Sequence, residues 1–260
     1  MFCLRILYNV VMGVIENQNK LTLELAYLYP KLLNIYGDRG NVLTLLFRCR
    51  QRGIELNITS IGINNEELDS TKFDIYFIGG GQDQQQILVA EDIQIKKKQF
   101  VNAIDSGAVV LAVCGGYQLL GKYYKTSSGF EVKGIEAIDL FTVAGNKRMI
   151  GNVICKEIES GKTLVGFENH SGKTYLGKGV SPLAKIIRGG GNNGEDGFEG
   201  VRYKNVFGTY LHGSLLPKNP FLADKIIRLA LERKGYKFPD VSIDDSVEEL
   251  AHEKAKKLNY

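Results

Sequence analysis

Apolar runs alternate with amphipathic segments along the first half of the chain. The apolar runs are short and end at a glycine or a turn-forming segment, which predicts β-strands over residues 21–28, 54–61, 73–78 and 108–113. Helical periodicity predicts helices over residues 30–36, 41–51 and 84–105, with Asn41 as the cap of the second. Strands that alternate with helices in this way predict an α/β fold, a mostly parallel open sheet covered by helices.

The second half of the chain departs from this pattern. Its apolar segments are short and rich in turns, which predicts added strands over residues 142–144, 152–158, 164–167 and 184–187. Residues 189–197 are expected to form a flexible loop, too polar to pack. A strand over 206–211 and helices over 219–233 and 244–258 are predicted after it. No segment has the composition of a linker, so residues 21–260 are interpreted as one domain. Residues 1–20 are interpreted as an N-terminal extension, with Met12 as an alternative start.

The composition excludes several function classes. The net charge of +4 is small and the basic residues are scattered, which argues against nucleic-acid binding; Lys96, Lys97 and Lys98 are expected on a solvated helix face. Four cysteines without CxxC spacing provide neither a disulfide framework nor a metal site, and reduced thiols fit a cytoplasmic protein. No apolar run approaches the roughly 20 residues that a transmembrane helix needs.

Cys114 lies where the fourth predicted strand runs into Gly115, Gly116 and then a helix. Ala112 and Gly116, two residues to either side, are the small residues that a nucleophile elbow needs, because bulk would block its sharp turn. The N–H groups that begin the helix favour the thiolate over the thiol, so this pattern predicts a nucleophile. The alternative interpretation is a buried structural cysteine, since free cysteine often serves as a small core residue.

A histidine and a triple glycine are predicted at the same rim of the sheet as Cys114. His212 ends one apolar strand and Gly79–Gly81 follow another, and the carboxyl ends of parallel strands share one edge. A thiolate needs a base that works near neutral pH, which His212 could supply; a structural histidine is the alternative. The glycines match neither the phosphate-binding loop nor the dinucleotide-binding motif. Their N–H groups, together with that of Gly115, suit a developing oxyanion.

Four segments together resemble the class I glutamine amidotransferases of the cobyric-acid-synthase type: GGGQD at 79–83, AVCGGYQ at 112–118, GFENH at 166–170 and YKNVFGTYLHG at 203–213. Two further segments, YGDRGN at 36–41 and GGGNN at 189–193, resemble the glutaminase subunits of lipid II isoglutaminyl synthases within that class. The resemblance covers about residues 20–235. It implies flavodoxin-like layers and the hydrolysis of L-glutamine through a γ-glutamyl thioester, with release of ammonia.

The resemblance also implies roles for single residues. Cys114 is the implied nucleophile, and His212 is the implied general base and acid. Arg148, in the segment NKRMIG, matches the arginine that holds the substrate glutamine, and its planar fork suits a carboxylate. Lesser contacts with the substrate are implied for three glycines and one glutamine: Gly80, Gly81, Gly115 and Gln118.

One position departs from the wider class. A glutamate usually stands two residues after the histidine, and this chain has Ser214 there. Either a Cys–His dyad suffices or the acid comes from elsewhere, from Glu168 or from a partner chain.

The sequence contains no ATP-binding motif, and free ammonia is useful only beside an activated acceptor. The resemblance therefore implies a heterodimer with a Mur-ligase-like subunit, MurT, which would use ATP and Mg²⁺ to amidate the α-carboxyl of D-glutamate in lipid II. This chain is expected to hold no cofactor or metal and to be cytoplasmic, reaching the inner membrane face only through the lipid-linked substrate. The alternatives are a different acceptor, such as a cobyrinate-like acid, and an amidotransferase-like scaffold without turnover.

Overall fold

The computed structural model describes residues 21–64 and 68–258. The predicted N-terminal extension over residues 1–20 lies outside the described residues. The described chain forms β-strands that build two six-stranded sheets, together with α-helices that pack on them.

The strands, in chain order, are β1 (Thr22–Leu28), β2 (Glu55–Ile61), β3 (Ile75–Ile78), β4 (Val109–Val113), β5 (Tyr123–Lys125), β6 (Glu131–Lys133), β7 (Leu140–Glu157), β8 (Thr163–Leu176), β9 (Ala184–Arg188), β10 (Phe198–Glu199), β11 (Val201–Tyr203) and β12 (Val206–Thr209). The α-helices are α1 (Arg39–Gln51), α2 (Asp83–Asp105), α3 (Gly115–Leu119), α4 (Pro220–Arg233) and α5 (Ser246–Lys257). A 3₁₀ turn at Leu216–Lys218 precedes α4.

The first sheet is open and mostly parallel, as predicted. Its strand order is β11-β12-β4-β3-β1-β2, and all neighbours are parallel except β11 against β12. Every residue of β3 and β4 is buried, which is typical of central strands covered on both faces. The order of the parallel strands is flavodoxin-like, and ligands bind such sheets beyond the carboxyl ends of the strands, where the strand order reverses. Here that reversal lies between β1 and β3.

The second sheet is dominated by a long antiparallel hairpin, β7 and β8, in place of the short strands predicted. β7 runs for 18 residues and β8 for 14, so the predicted lengths were wrong. The pairing of the two strands is irregular between Ala144 and Met149, which explains the error. An irregularity of this kind breaks the alternation of buried and exposed positions, so that one strand looks like two in the sequence. Arg148 lies within this irregular stretch.

The chain between β1 and α1 forms turns, so the helix predicted over residues 30–36 is wrong. Tyr29 and Tyr36 have φ values of +52° and +54°, outside the helical region. The predicted cap at Asn41 is also wrong, because α1 begins at Arg39. The buried Asn41 side chain instead accepts a hydrogen bond from the N–H of Leu216, at 2.9 Å. The segment between β1 and α1 reaches the carboxyl rim of the first sheet, where the N–H of Ile35 donates to the carbonyl oxygen of Gly80 at 3.3 Å.

Two surface predictions are wrong in part, because some polar side chains there find partners inside the protein. In the segment 189–197, Asn192 and Asn193 are buried, whereas residues 194–197 are exposed. The Asn192 side chain accepts from the N–H of Gly200 and donates to its carbonyl oxygen, at 2.8 and 2.9 Å, so its polar groups are satisfied. Lys96 is buried as well, in an ion pair with Asp92 on the same helix, whereas Lys98 is exposed.

Candidate active site

Three predicted residues and one unpredicted aspartate meet at the carboxyl ends of the parallel strands. Gly80 follows β3, Cys114 follows β4 and His212 follows β12. Asp38, on the turn before α1, lies between them: its Oδ2 accepts the N–H of Gly80 at 2.8 Å and its Oδ1 lies 3.4 Å from Nδ1 of His212. All of these groups are buried, so their interactions are only weakly screened by water.

Cys114 occupies a strained turn between β4 and α3. Its φ of +51° and ψ of −108° lie in a region that residues with a side chain rarely adopt. The turn needs a small residue at Gly116, where an added Cβ would lie 2.7 Å from the carbonyl oxygen of Ile78. The geometry is that of a nucleophile elbow. The helix after it is short, however, because α3 contains only five residues.

Cys114 and His212 flank the same glycine. A Cβ built on Gly80 would lie 2.7 Å from Cε1 of His212 and 3.1 Å from Cβ of Cys114. The two predicted residues are therefore on one side of the rim, separated by little more than the space that a side chain at position 80 would fill. Nε2 of His212 is buried and has no hydrogen-bond partner in the described part of the chain. It is thus available to a reacting group at the sulfur.

The surroundings of His212 favour its protonated form. Burial of the ring opposes the charged imidazolium, but attraction to Cys114 and to Asp38 outweighs burial and raises the pKa of His212 to about 10. The ring also meets the edge of the Tyr36 ring, with centroids 5.1 Å apart. A histidine that keeps its proton beside a sulfur is arranged to stabilise a thiolate and to donate a proton to a leaving group.

Asp38 is the carboxylate that lies beside His212, at the place where the sequence left an acid open. Ser214 does not replace the missing glutamate, because its hydroxyl donates to the carbonyl oxygen of Gly37. Glu168 is used elsewhere, since its two oxygens accept the N–H groups of Gly190 and Gly191 at 2.7 and 2.9 Å. One signal in the sequence could have pointed to Asp38, because it lies in the segment YGDRGN, which carries part of the family resemblance.

A cavity of about 720 Å³ opens over Cys114. This volume lies within the ~300–1,000 Å³ range of small-molecule sites. Arg148 lines it and donates to Asn169, from Nε to Oδ1 at 2.5 Å and from Nη2 to the backbone oxygen at 3.3 Å. Nδ2 of Asn169 in turn donates to the hydroxyl of Tyr36 at 2.6 Å. The predicted substrate arginine and the predicted nucleophile thus face one cavity, and a side-chain relay connects the arginine to the ring that contacts His212.

The predicted lesser contacts fall into two groups. Gly81 lines the cavity, and the N–H of Gly115 begins α3, where helix geometry leaves it without a partner in the helix. The N–H of Gly80 already donates to Asp38, and Gln118 contacts the protein at both polar ends. Its Nε2 donates to the hydroxyl of Tyr210 at 3.0 Å, and its Oε1 accepts from Gln86 at 2.8 Å.

Residues 21–64 and 68–258 contain no group of three or more His, Cys, Asp or Glu side chains placed to hold a metal ion. None of the helices in the same ranges has the length and apolar character needed to cross a membrane.

The sequence and the fold were compared with known proteins. The profile of the CobB/CobQ-like glutamine amidotransferase domain matches residues 24–220. The chain is 40% identical over 213 residues to the lipid II isoglutaminyl synthase (glutamine-hydrolyzing) subunit GatD of Streptococcus pneumoniae, covering 82% of each chain. It is 41% identical over 216 residues to the subunit of the same name from Staphylococcus aureus, covering 83% of this chain and 87% of that one. A glutamine amidotransferase from Thermotoga maritima has a similar fold, with a TM-score of 0.51 and 13% identity, covering 92% of this chain and 95% of the other.

Proposed function

Because the chain belongs to the CobB/CobQ-like glutamine amidotransferase family, we propose that it is the glutamine-hydrolysing subunit of a lipid II isoglutaminyl synthase. The observation that carries the chemistry is the placement of Cys114 and His212 around Gly80, with Cys114 and Arg148 lining one cavity. The identity to two GatD subunits, over more than four-fifths of each chain, supports the choice of acceptor.

Cys114 is the nucleophile of the proposed reaction. Its sulfur attacks the γ-amide carbon of L-glutamine, and His212 gives its proton to the amide nitrogen, so that the C–N bond breaks and ammonia leaves. The γ-glutamyl thioester remains on the sulfur. His212, now neutral, takes a proton from a water molecule that attacks the thioester. The C–S bond then breaks, glutamate leaves, and the thiolate and the protonated His212 are restored.

The surrounding residues hold these two groups and the substrate. Asp38 is the positioning residue that fixes the tautomer and orientation of the His212 ring through Nδ1. The N–H groups of Gly115 and Gly81 are the proposed donors to the oxyanion that forms at the amide carbon, and one such donor is worth roughly 2.7–4 kcal/mol in other enzymes. Arg148 binds the α-carboxylate of glutamine through its planar guanidinium group. Gln118 forms part of the cavity wall, and both of its polar ends are already bonded to the protein.

Ammonia from this site must reach an activated acyl group, so the proposal includes a partner. The acceptor is the α-carboxyl of D-glutamate in the stem peptide of lipid II, activated by a Mur-ligase-like subunit, MurT, with ATP and Mg²⁺. The product is the D-isoglutamine form of the cell-wall precursor. The two chains work as a heterodimer in the cytoplasm, at the inner membrane face where the lipid-linked substrate lies.

The test is an assay with purified chain and its co-purifying ligase. Wild-type chain should release ammonia from glutamine and, with ATP and lipid II, convert a carboxyl of the stem peptide to an amide, read by mass spectrometry. Cys114→Ala should remove both activities, because it removes the nucleophile while leaving the cavity. Equal ammonia release by the variant would refute the mechanism. Amidation of a cobyrinate-like acid, with none of lipid II, would refute the acceptor alone, and a folded wild-type chain without turnover would indicate a scaffold.

A further inference from the structure

The cavity carries a second charge that the proposed reaction has not used. We infer that Asp83, the first residue of α2, binds the α-ammonium group of the substrate and selects for a free α-amino acid. This inference rests on the proposed glutaminase function and adds to it a residue that determines which amides the site accepts.

The chemistry of glutamine requires such a group. Glutamine presents a γ-amide, an α-carboxylate and an α-ammonium group, and the proposed reaction gives the first to Cys114 and the second to Arg148. A desolvated ammonium group needs acceptors of its own, and a carboxylate is the strongest of these. Among the described residues that line the cavity, Asp83 is the only carboxylate and Arg148 the only arginine or lysine. Their opposite charges match the zwitterion.

Each of these two charges is held by a neighbour that also lines the cavity. The hydroxyl of Tyr124 donates to Oδ1 of Asp83 at 3.4 Å. Asn169, on β8, accepts from Nε of Arg148 at 2.5 Å. Asp83 and Arg148 therefore face the same cavity, each with a side chain that orients it, as the two ends of a bound zwitterion require.

Asp83 has no cationic partner in the part of the chain that the structure describes. Within residues 21–64 and 68–258 it forms no ion pair with a lysine, arginine or histidine, so binding an ammonium group displaces no internal partner. It lies in the first turn of α2. The other polar side chains of that turn are glutamines, which offer a neutral oxygen where Asp83 offers a full charge.

The experiment compares two substrates with matched variants of the full chain, assayed for ammonia release beside its ligase. The substrates are L-glutamine and glutaramate, in which hydrogen replaces the α-ammonium group. The variants are Asp83→Asn, Asp83→Glu and, as control, Glu91→Gln, an exposed carboxylate on the same helix. Asp83→Asn should raise KM for glutamine by about 10- to 100-fold with little change in kcat, because it removes a charge-assisted hydrogen bond made throughout the reaction. The variant should leave the KM for glutaramate unchanged, and Asp83→Glu should recover part of the loss.

Each outcome separates the inference from the function on which it rests. Normal turnover of glutamine by Asp83→Asn with a wild-type KM overturns the inference and leaves the proposed function standing. Equal losses for glutamine and glutaramate overturn it too, because they assign Asp83 a structural role. Absence of hydrolysis by the wild-type chain overturns the proposed function and the inference together. The Glu91→Gln control should match wild type with both substrates.

Discussion

Replacing Asp38 with asparagine tests how the buried acid controls His212. The two carboxylate oxygens of Asp38 serve two N–H donors, that of Gly80 at 2.8 Å and that of His212 Nδ1 at 3.4 Å. Asparagine keeps one acceptor oxygen and replaces the other with an NH₂ group. One of the two donors must then face another donor, at a site without solvent exposure.

The expected loss of activity in Asp38→Asn depends on which of the two N–H donors loses its acceptor. A buried donor left without a partner costs about 1–3 kcal/mol, and the same substitution in a serine protease triad lowers kcat by ~10⁴-fold because the histidine takes the wrong tautomer. We expect kcat for glutamine hydrolysis to fall about 10²- to 10⁴-fold in Asp38→Asn, with KM nearly unchanged. Attraction to Asp38 helps to raise the pKa of His212, so the basic limb of the pH–rate profile should also move to lower pH.

The assay is steady-state ammonia release across pH, with Asp74→Asn as the matched control. Asp74 is also buried and also accepts a backbone N–H, that of Glu24 at 2.9 Å, but it precedes β3 and so lies at the opposite end of the strands. Wild-type kcat with an unshifted profile in Asp38→Asn would refute the positioning role. An equal loss in Asp74→Asn would indicate that any buried aspartate matters only for folding.

Gly80 and Glu199 provide two further tests. Gly80→Ala places a methyl group 2.7 Å from Cε1 of His212. Displacing that ring should lower turnover of glutamine by about 10²-fold, in a variant that still unfolds cooperatively. Wild-type turnover by this variant would contradict the described contact between Gly80 and His212. Burial raises the pKa of Glu199 from its ordinary 4.5 to about 7. Between these pH values the folded protein therefore holds a proton on Glu199 that the unfolded chain loses. The free energy of unfolding should fall by about 3 kcal/mol as pH rises through this range. In denaturant titrations at pH 5 and 8, Glu199→Gln should remove this dependence; an unchanged dependence would show that other groups cause it.

The rim residues are predictable from the sequence because each follows the end of an apolar strand. Gly79 follows β3 and Cys114 follows β4, and these strands are neighbours in the sheet. A parallel α/β arrangement alone therefore brings the two together. The role of Arg148 could not be found in this way, because its position depends on an irregular hairpin and its assignment depended on family resemblance.

Asp38 escaped prediction because its partner is distant in the chain. It lies 174 residues from His212, and the segment before it has a helical composition that the tertiary structure overrides. The turns at Tyr29 and Tyr36 require unusual backbone conformations that local propensity does not reveal. Two residues after His212, where the wider class usually has its glutamate, this chain has Ser214.

The strained backbone at Cys114 links the stability of the protein to its proposed activity. A non-glycine residue at φ +51° and ψ −108° carries a conformational cost of about 1–3 kcal/mol, which glycine would relieve. Glycine at position 114 would therefore relieve strain, yet in the proposed mechanism it would also remove the nucleophile. Substitutions that raise thermal stability are best placed away from the elbow, because relieving the strain at residue 114 would cost the proposed activity.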